Sequence, residues 1–147
     1  RPVVEEMGLG FAKACSGEAR KSVEKAGVVF DYAKPALAQS AASSEFIRLE
    51  AEYESARLLT LEAAWMADNR KPNSLQASMA KAKAGRSCVE IALKCVEICG
   101  STGYAESSLL EKWARDAKIL DIFEGTQQIQ QLIVARRLLG KNSSELK

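Results

Sequence analysis

The chain has 147 residues, 47% hydrophobic and 27% charged, with 21 Lys+Arg against 19 Asp+Glu for a formal net charge of +2. That composition fits one globular domain with a substantial core and excludes a disordered polar segment. Charge of both signs is mixed along the chain without the basic stripe of a nucleic-acid binder, and the uncharged runs fall short of the about 20 residues needed to span a bilayer.

The opening Arg1-Pro2-Val3-Val4 lacks the charged-then-apolar pattern of a secretory signal. Histidine is absent, which excludes an imidazole base, a Ser-His-Asp triad and any His-containing metal site. Cys88, Cys95 and Cys99 follow at spacings of seven and four on one predicted helix, with Cys15 on another. That spacing suits small core hydrophobes in a reducing compartment, and no metal site is expected.

Val4, Met7, Phe11, Cys15 and Ala19 recur at three to four residues and predict a first helix ending near Gly27. Gly8, Gly10 and Gly17 interrupt it, each costing up to about 1 kcal/mol against Ala. Close approach of a neighbouring helix or ligand would compensate. Residues 26–34 read as a loop. A long second helix is expected from about Ala36 to Asn69, with Phe46, Leu49, Tyr53, Ala56, Leu59, Ala63 and Met66 inward. Glu54 and Arg57 form a supporting pair on its outer surface.

Pro72-Asn73-Ser74 breaks the chain, and Asn73 with Gln76 has capping-box spacing. The third helix places Leu75, Met79, Ala82, Cys88, Ile91, Cys95 and Cys99 on one face and stops at Gly100-Ser101-Thr102-Gly103. A shorter helix follows, with Ser108 and Glu111 as a second capping box, reaching about Lys118. The last begins after Gly125 with Thr126 as N-cap and ends at Gly140, turning Ile129, Leu132, Ile133 and Leu139 inward. The tail from Lys141 reads as frayed.

Strand alternation and internal repeats are not seen. Two helices of about 25–35 residues would be about 40–50 Å long. The expected fold is therefore all-α: an up-and-down four-helix-type bundle with an additional short helix.

Glu124 is the carboxylate that chemistry singles out. It precedes a helix N-terminus beside Ile122 and Phe123, where partial burial would favour its protonated form and the helix dipole its ionised one. Such a group can act as a general base toward a carbon-bound proton, or simply stand at a helix start.

The stretch Arg115-Asp116-Ala117-Lys118-Ile119-Leu120-Asp121-Ile122-Phe123-Glu124-Gly125-Thr126, then Gln127-Gln128-Ile129-Gln130, resembles the RDAK-I-x-x-I-Y/F-E-G-T-x-x-I-Q signature of the acyl-CoA dehydrogenases. Arg1-Pro2-Val3-Val4, Glu97 to Tyr104, and Leu132 to Arg136 fall in the order that family shows. The resemblance covers residues 1–147 as the family's C-terminal helical domain; the N-terminal helical and middle β-domains that precede it in the family are not in this chain.

The resemblance implies a flavin-dependent α,β-dehydrogenation of an acyl-CoA thioester, with Glu124 abstracting the α-proton while the β-hydrogen leaves as hydride to FAD. It implies that Arg1 orients this base, although a terminal arginine also reads as a solvated charge. It places Phe123, Gly125 and Thr126 beside substrate and flavin, where Gly125-Thr126 also reads as helix-start punctuation. Phe123 keeps the aromatic wall of the more usual tyrosine and loses its hydroxyl. An electron-transferring flavoprotein is the implied acceptor. The implied location is the bacterial cytoplasm, or the mitochondrial matrix in a eukaryote. The isolated 147-residue piece is expected to be inactive.

Two departures concern the arm that supports the neighbouring subunit's dinucleotide. The family's Arg-x-x-Phe-Gly is here Ala26-Gly27-Val28-Val29-Phe30, and its Gln-x-x-Gly-Gly-x-Gly is Glu97-x-x-Gly100-Ser101-x-Gly103. Glu97 would turn a negative charge toward a pyrophosphate, and Ser101 adds a side chain where backbone was to approach. This pattern resembles the α2β2 acyl-CoA dehydrogenases of actinobacteria that act on steroid side-chain thioesters, in which homologous subunits share a site. The alternative is a non-catalytic bundle that mediates subunit association.

Overall fold

A computed structural model describes residues 2–142, 144 and 145, with the backbone alone at Pro2 and Val3. Arg1, named above beside the base, lies outside the described residues, as do Ser143, Leu146 and Lys147 of the tail. Every regular element among the described residues is helical: α1 (Pro2–Lys25), a 3-10 turn (Ala36–Ala38), α2 (Ala41–Asp68), α3 (Ser74–Cys99), α4 (Ser101–Tyr104), α5 (Leu109–Ile122) and α6 (Gln127–Leu139).

Helix α3 is the axis of the bundle, packed against α1, α2, α5 and α6. Its sequence permits this. Ala77, Ala80, Ala84, Gly85, Ser87 and Ala92 are all buried, and such short side chains let neighbouring helices approach from several sides. The main core joins Cys15 and Ala19 of α1, Phe46 and Leu49 of α2, Cys88, Ile91 and Cys95 of α3, and Leu110 and Leu120 of α5. All four thiols are free, and Cys15, Cys88 and Cys95 are buried in the core role expected of them. The loop after α1 closes this core when the Phe30 ring meets Phe46 edge-on at 5.2 Å. No helix among the described residues is long and apolar enough to cross a membrane.

Several local expectations shift. The second helix starts at Ala41, not Ala36. Ser40 stays extended and accepts from the Ser43 N–H, while Pro35 opens a separate 3-10 turn. Asn73 forms no capping box; its Nδ2 donates instead to the Ala63 carbonyl at 3.0 Å, tying α3 to α2. Ser108 caps α5 through the Leu110 N–H, and Glu111 pairs with Arg115 rather than completing a box. That helix continues to Ile122, four residues past the expected end. Glu54 and Arg57 do pair, at 3.2 Å.

The buried faces also differ. In α1, Met7 is exposed and Leu9 with Ala12 takes the core position, because α3 lies on that side. Gly8 packs on Ala84 of α3 at a distance where a Cβ would make ordinary contact, and Gly10 and Gly17 have open space around them. In α6, Ile129, Leu132 and Leu139 are exposed. This helix rests chiefly on α3 alone, and Gln130 is its one buried side chain among the described residues.

Candidate active site at the α5–α6 corner

Four residues, 123–126, link the end of α5 to the start of α6. The Phe123 N–H closes the last turn of α5 on the Ile119 carbonyl at 3.0 Å. Glu124 and Gly125 then both take positive φ, 57° and 101°. For a residue with a side chain this left-handed conformation costs about 1–2 kcal/mol, so its surroundings must impose it. The Thr126 hydroxyl next accepts from the Ile129 N–H and starts α6 as its N-cap, as its sequence position predicted.

Three features hold this corner against α3. Gly85 lets α5 approach so closely that a Cβ there would stand 3.0 Å from the Leu120 carbonyl oxygen and 3.3 Å from Asp121 Cα. Gln127 donates from Nε2 to the Ala82 carbonyl at 2.6 Å. Gln130 folds back beneath the turn and donates from Nε2 toward the carbonyls of Glu124 and Gly125, at 3.2 and 3.4 Å. Nearby, Lys81 of α3 is buried at 1% exposure. Burial pulls its ammonium below the ordinary lysine range, and the charges of Asp121 and Glu5 oppose that shift.

Glu124 itself is exposed, as is Ile122, so the partial burial expected from its apolar neighbours does not form. Phe123 turns inward against the core instead, leaving the carboxylate on the outer side of the turn. Gly125 and Thr126 are half-buried beside it. Chemically the corner offers one outward-facing proton acceptor on a fixed backbone.

The second set of residues lies at the other end of α3. From Gly85 to Glu97 is twelve residues, about 18 Å along the helix, so the chain does not bring the two sets together. Glu97 is exposed and accepts from Lys94 Nζ at 2.7 Å. Gly100 has φ 58° and ψ −137°, a conformation suited to glycine, and Ser101 is exposed beyond it. Gly103 is buried, and a Cβ there would lie 2.8 Å from both the Val96 carbonyl oxygen and Cys99 Cβ; folding α4 onto α3 requires this glycine.

At the end of α1, Ala26 offers no guanidinium, and the Phe30 ring is turned onto Phe46 under the Arg20 guanidinium, 4.5 Å away. A carboxylate beside the carbonyl end of a helix repels an anion. In this arm the Glu97 carboxylate is paired with Lys94 and no arginine stands at position 26.

The sequence signals missed here are Gln127 and Gln130, three apart just after an N-cap, and the buried Lys81. A glutamine standing among inward-reading isoleucines was the available clue.

The family model of the acyl-CoA dehydrogenase C-terminal domain matches residues 1–139. The chain belongs to the acyl-CoA dehydrogenase family. Its bundle has that domain's fold: butyryl-CoA dehydrogenase of Megasphaera elsdenii superposes with a TM-score of 0.80 at 31% identity, over 95% of this chain and 36% of that one. The short-chain specific mitochondrial acyl-CoA dehydrogenase of Rattus norvegicus is 43% identical over 86 residues, 58% of this chain and 21% of the relative. The caffeyl-CoA reductase-Etf complex subunit CarC of Acetobacterium woodii is 42% identical over 88 residues, 60% of this chain and 23% of the relative. This acyl-CoA dehydrogenase domain thus spans about a fifth of the curated relatives it matches.

Proposed function

We propose that this domain supplies the base for α,β-dehydrogenation of an acyl-CoA thioester. The observation that carries the reading is Glu124, exposed at a fixed positive-φ corner between two capped helices, within the family's Glu-Gly-Thr sequence. The carboxylate of Glu124 takes the α-proton. A bound FAD supplies the acceptance of the β-hydrogen as hydride, which leaves the α,β-unsaturated thioester. Exclusion of water by the bound thioester strengthens Glu124 as a base. Phe123 anchors the turn in the core, Gly125 leaves room for the Gln130 amide beneath the turn, and Arg1 orients the carboxylate.

The departures of the 97–103 arm and of Ala26 from the family pattern favour a heteromer. A homologous partner with intact arginine and Gln-Gly-Gly would support the flavin beside Glu124, in an α2β2 assembly acting on fatty-acyl or steroid side-chain thioesters. CarC is named as a subunit of a reductase-Etf complex, which supports an electron-transferring flavoprotein as the acceptor. A reducing compartment, bacterial cytoplasm or mitochondrial matrix, suits four free thiols.

The test is Glu124→Gln in the complete flavoprotein, co-expressed with its homologous partner. The amide keeps the shape and removes the base, so turnover should fall by at least about 100-fold with flavin content and acyl-CoA binding retained. Turnover within a few-fold of wild type would reduce the domain to subunit association.

A further inference from the structure

We propose that Gln130 is a positioning residue for Glu124, fixing the peptide that carries the base through its side-chain amide. The proposal rests on the reading of Glu124 as the base. Among the described residues the Glu124 side chain has no hydrogen bond or ion pair, so within them it is the backbone that aims it. That backbone is in a conformation a glutamate rarely adopts, followed by a second left-handed residue. The side chain beneath both peptides is Gln130, 0% exposed.

Its Nε2 lies 3.2 Å from the Glu124 carbonyl oxygen and 3.4 Å from that of Gly125, bridging two successive carbonyls with the two hydrogens of one amide. Holding both oxygens fixes ψ of Glu124 and the orientation of the following peptide, hence the direction of the Cα–Cβ bond. The contact is close: a Cβ on Gly125 would fall 2.5 Å from Nε2. A buried amide is costly unless it is used; these carbonyls use its Nε2, while its Oε1 is buried without a partner among the described residues. The Gln127 bond to Ala82 carries the same corner onto α3.

Gln130→Met keeps the length and removes both donors; Gln130→Glu keeps the shape and turns an oxygen toward the carbonyls. In the complete flavoprotein, both should lower kcat by about 10- to 100-fold, as expected of a base misplaced by roughly 1 Å. KM for the acyl-CoA and flavin content should hold, and the kinetic isotope effect of an α-deuterated substrate should rise as proton abstraction becomes limiting. A wild-type kcat in either folded, flavin-loaded variant overturns the proposal. So does loss of helicity or flavin in both, which would make Gln130 a packing residue. Glu124→Gln, measured alongside, separates the two readings. If that variant turns over normally, the assignment of the base fails; if it is dead while Gln130→Met is normal, only the positioning role fails.

Discussion

Gly85 of α3 lies against Asp121 of α5 with no room for a side chain between them: a Cβ at Gly85 would stand 3.3 Å from Asp121 Cα and 3.0 Å from the Leu120 carbonyl oxygen. This contact sets the depth of α5 in the bundle three residues before Glu124. Gly85→Ala must push backbone from backbone, and should destabilise the domain by about 1–3 kcal/mol, read as a lower urea midpoint at unchanged slope.

Gly10 and Gly17 of α1 make the opposite case. Both are exposed helix-interior positions where an added Cβ meets nothing within 4 Å. Alanine at either should raise stability by about 0.5–1 kcal/mol, seen as a higher urea midpoint. A lower midpoint at either position would overturn this expectation.

The buried thiols predict a one-sided pH profile. Burial pushes Cys15 up to about 11 and Cys88 and Cys95 up to about 12, from an ordinary value of 9.0. An unfolded chain loses these protons first as pH rises. Their contribution is therefore fully present below pH 9 and is lost progressively between pH 9 and about 12. Urea midpoints should be level from pH 7 to 8.5 and fall by pH 10.5. In the same range of neutral pH, iodoacetamide should modify Cys99 of the native protein, which is only partly buried, and reach the other three on unfolding.

If Glu97 and Ser101 weaken the arm toward the partner's dinucleotide, restoring the family pattern should strengthen it. Glu97→Gln with Ser101→Gly in the complete protein should raise flavin retention of a homomeric preparation by about tenfold or more, which corresponds to about 1.4 kcal/mol. Equilibrium dialysis of FAD measures this directly. Unchanged retention would place the cause of poor binding elsewhere, or show that the homomer already holds its flavin.

Short-range chemistry was legible in the sequence. Thr126 opens α6 and Gly140 ends it in the left-handed conformation, and the Glu-Gly-Thr run marked the corner and the family. Such features are written within a few residues, because a hydroxyl that caps a helix and a glycine that tolerates positive φ need no distant partner. The burial of each helix face was not legible in that way. Ile129 and Leu132 read as inward by period and are exposed, while Gln130 is enclosed; Met7 reads as core and Leu9 takes its place; Lys81 is buried on α3 and Glu124 is not buried at all. Periodicity says that a helix has two faces but not which one a neighbour covers. Here that depended on how close α3, with its small side chains, lets four other helices come, and on a left-handed turn that sends Phe123 inward and Glu124 out.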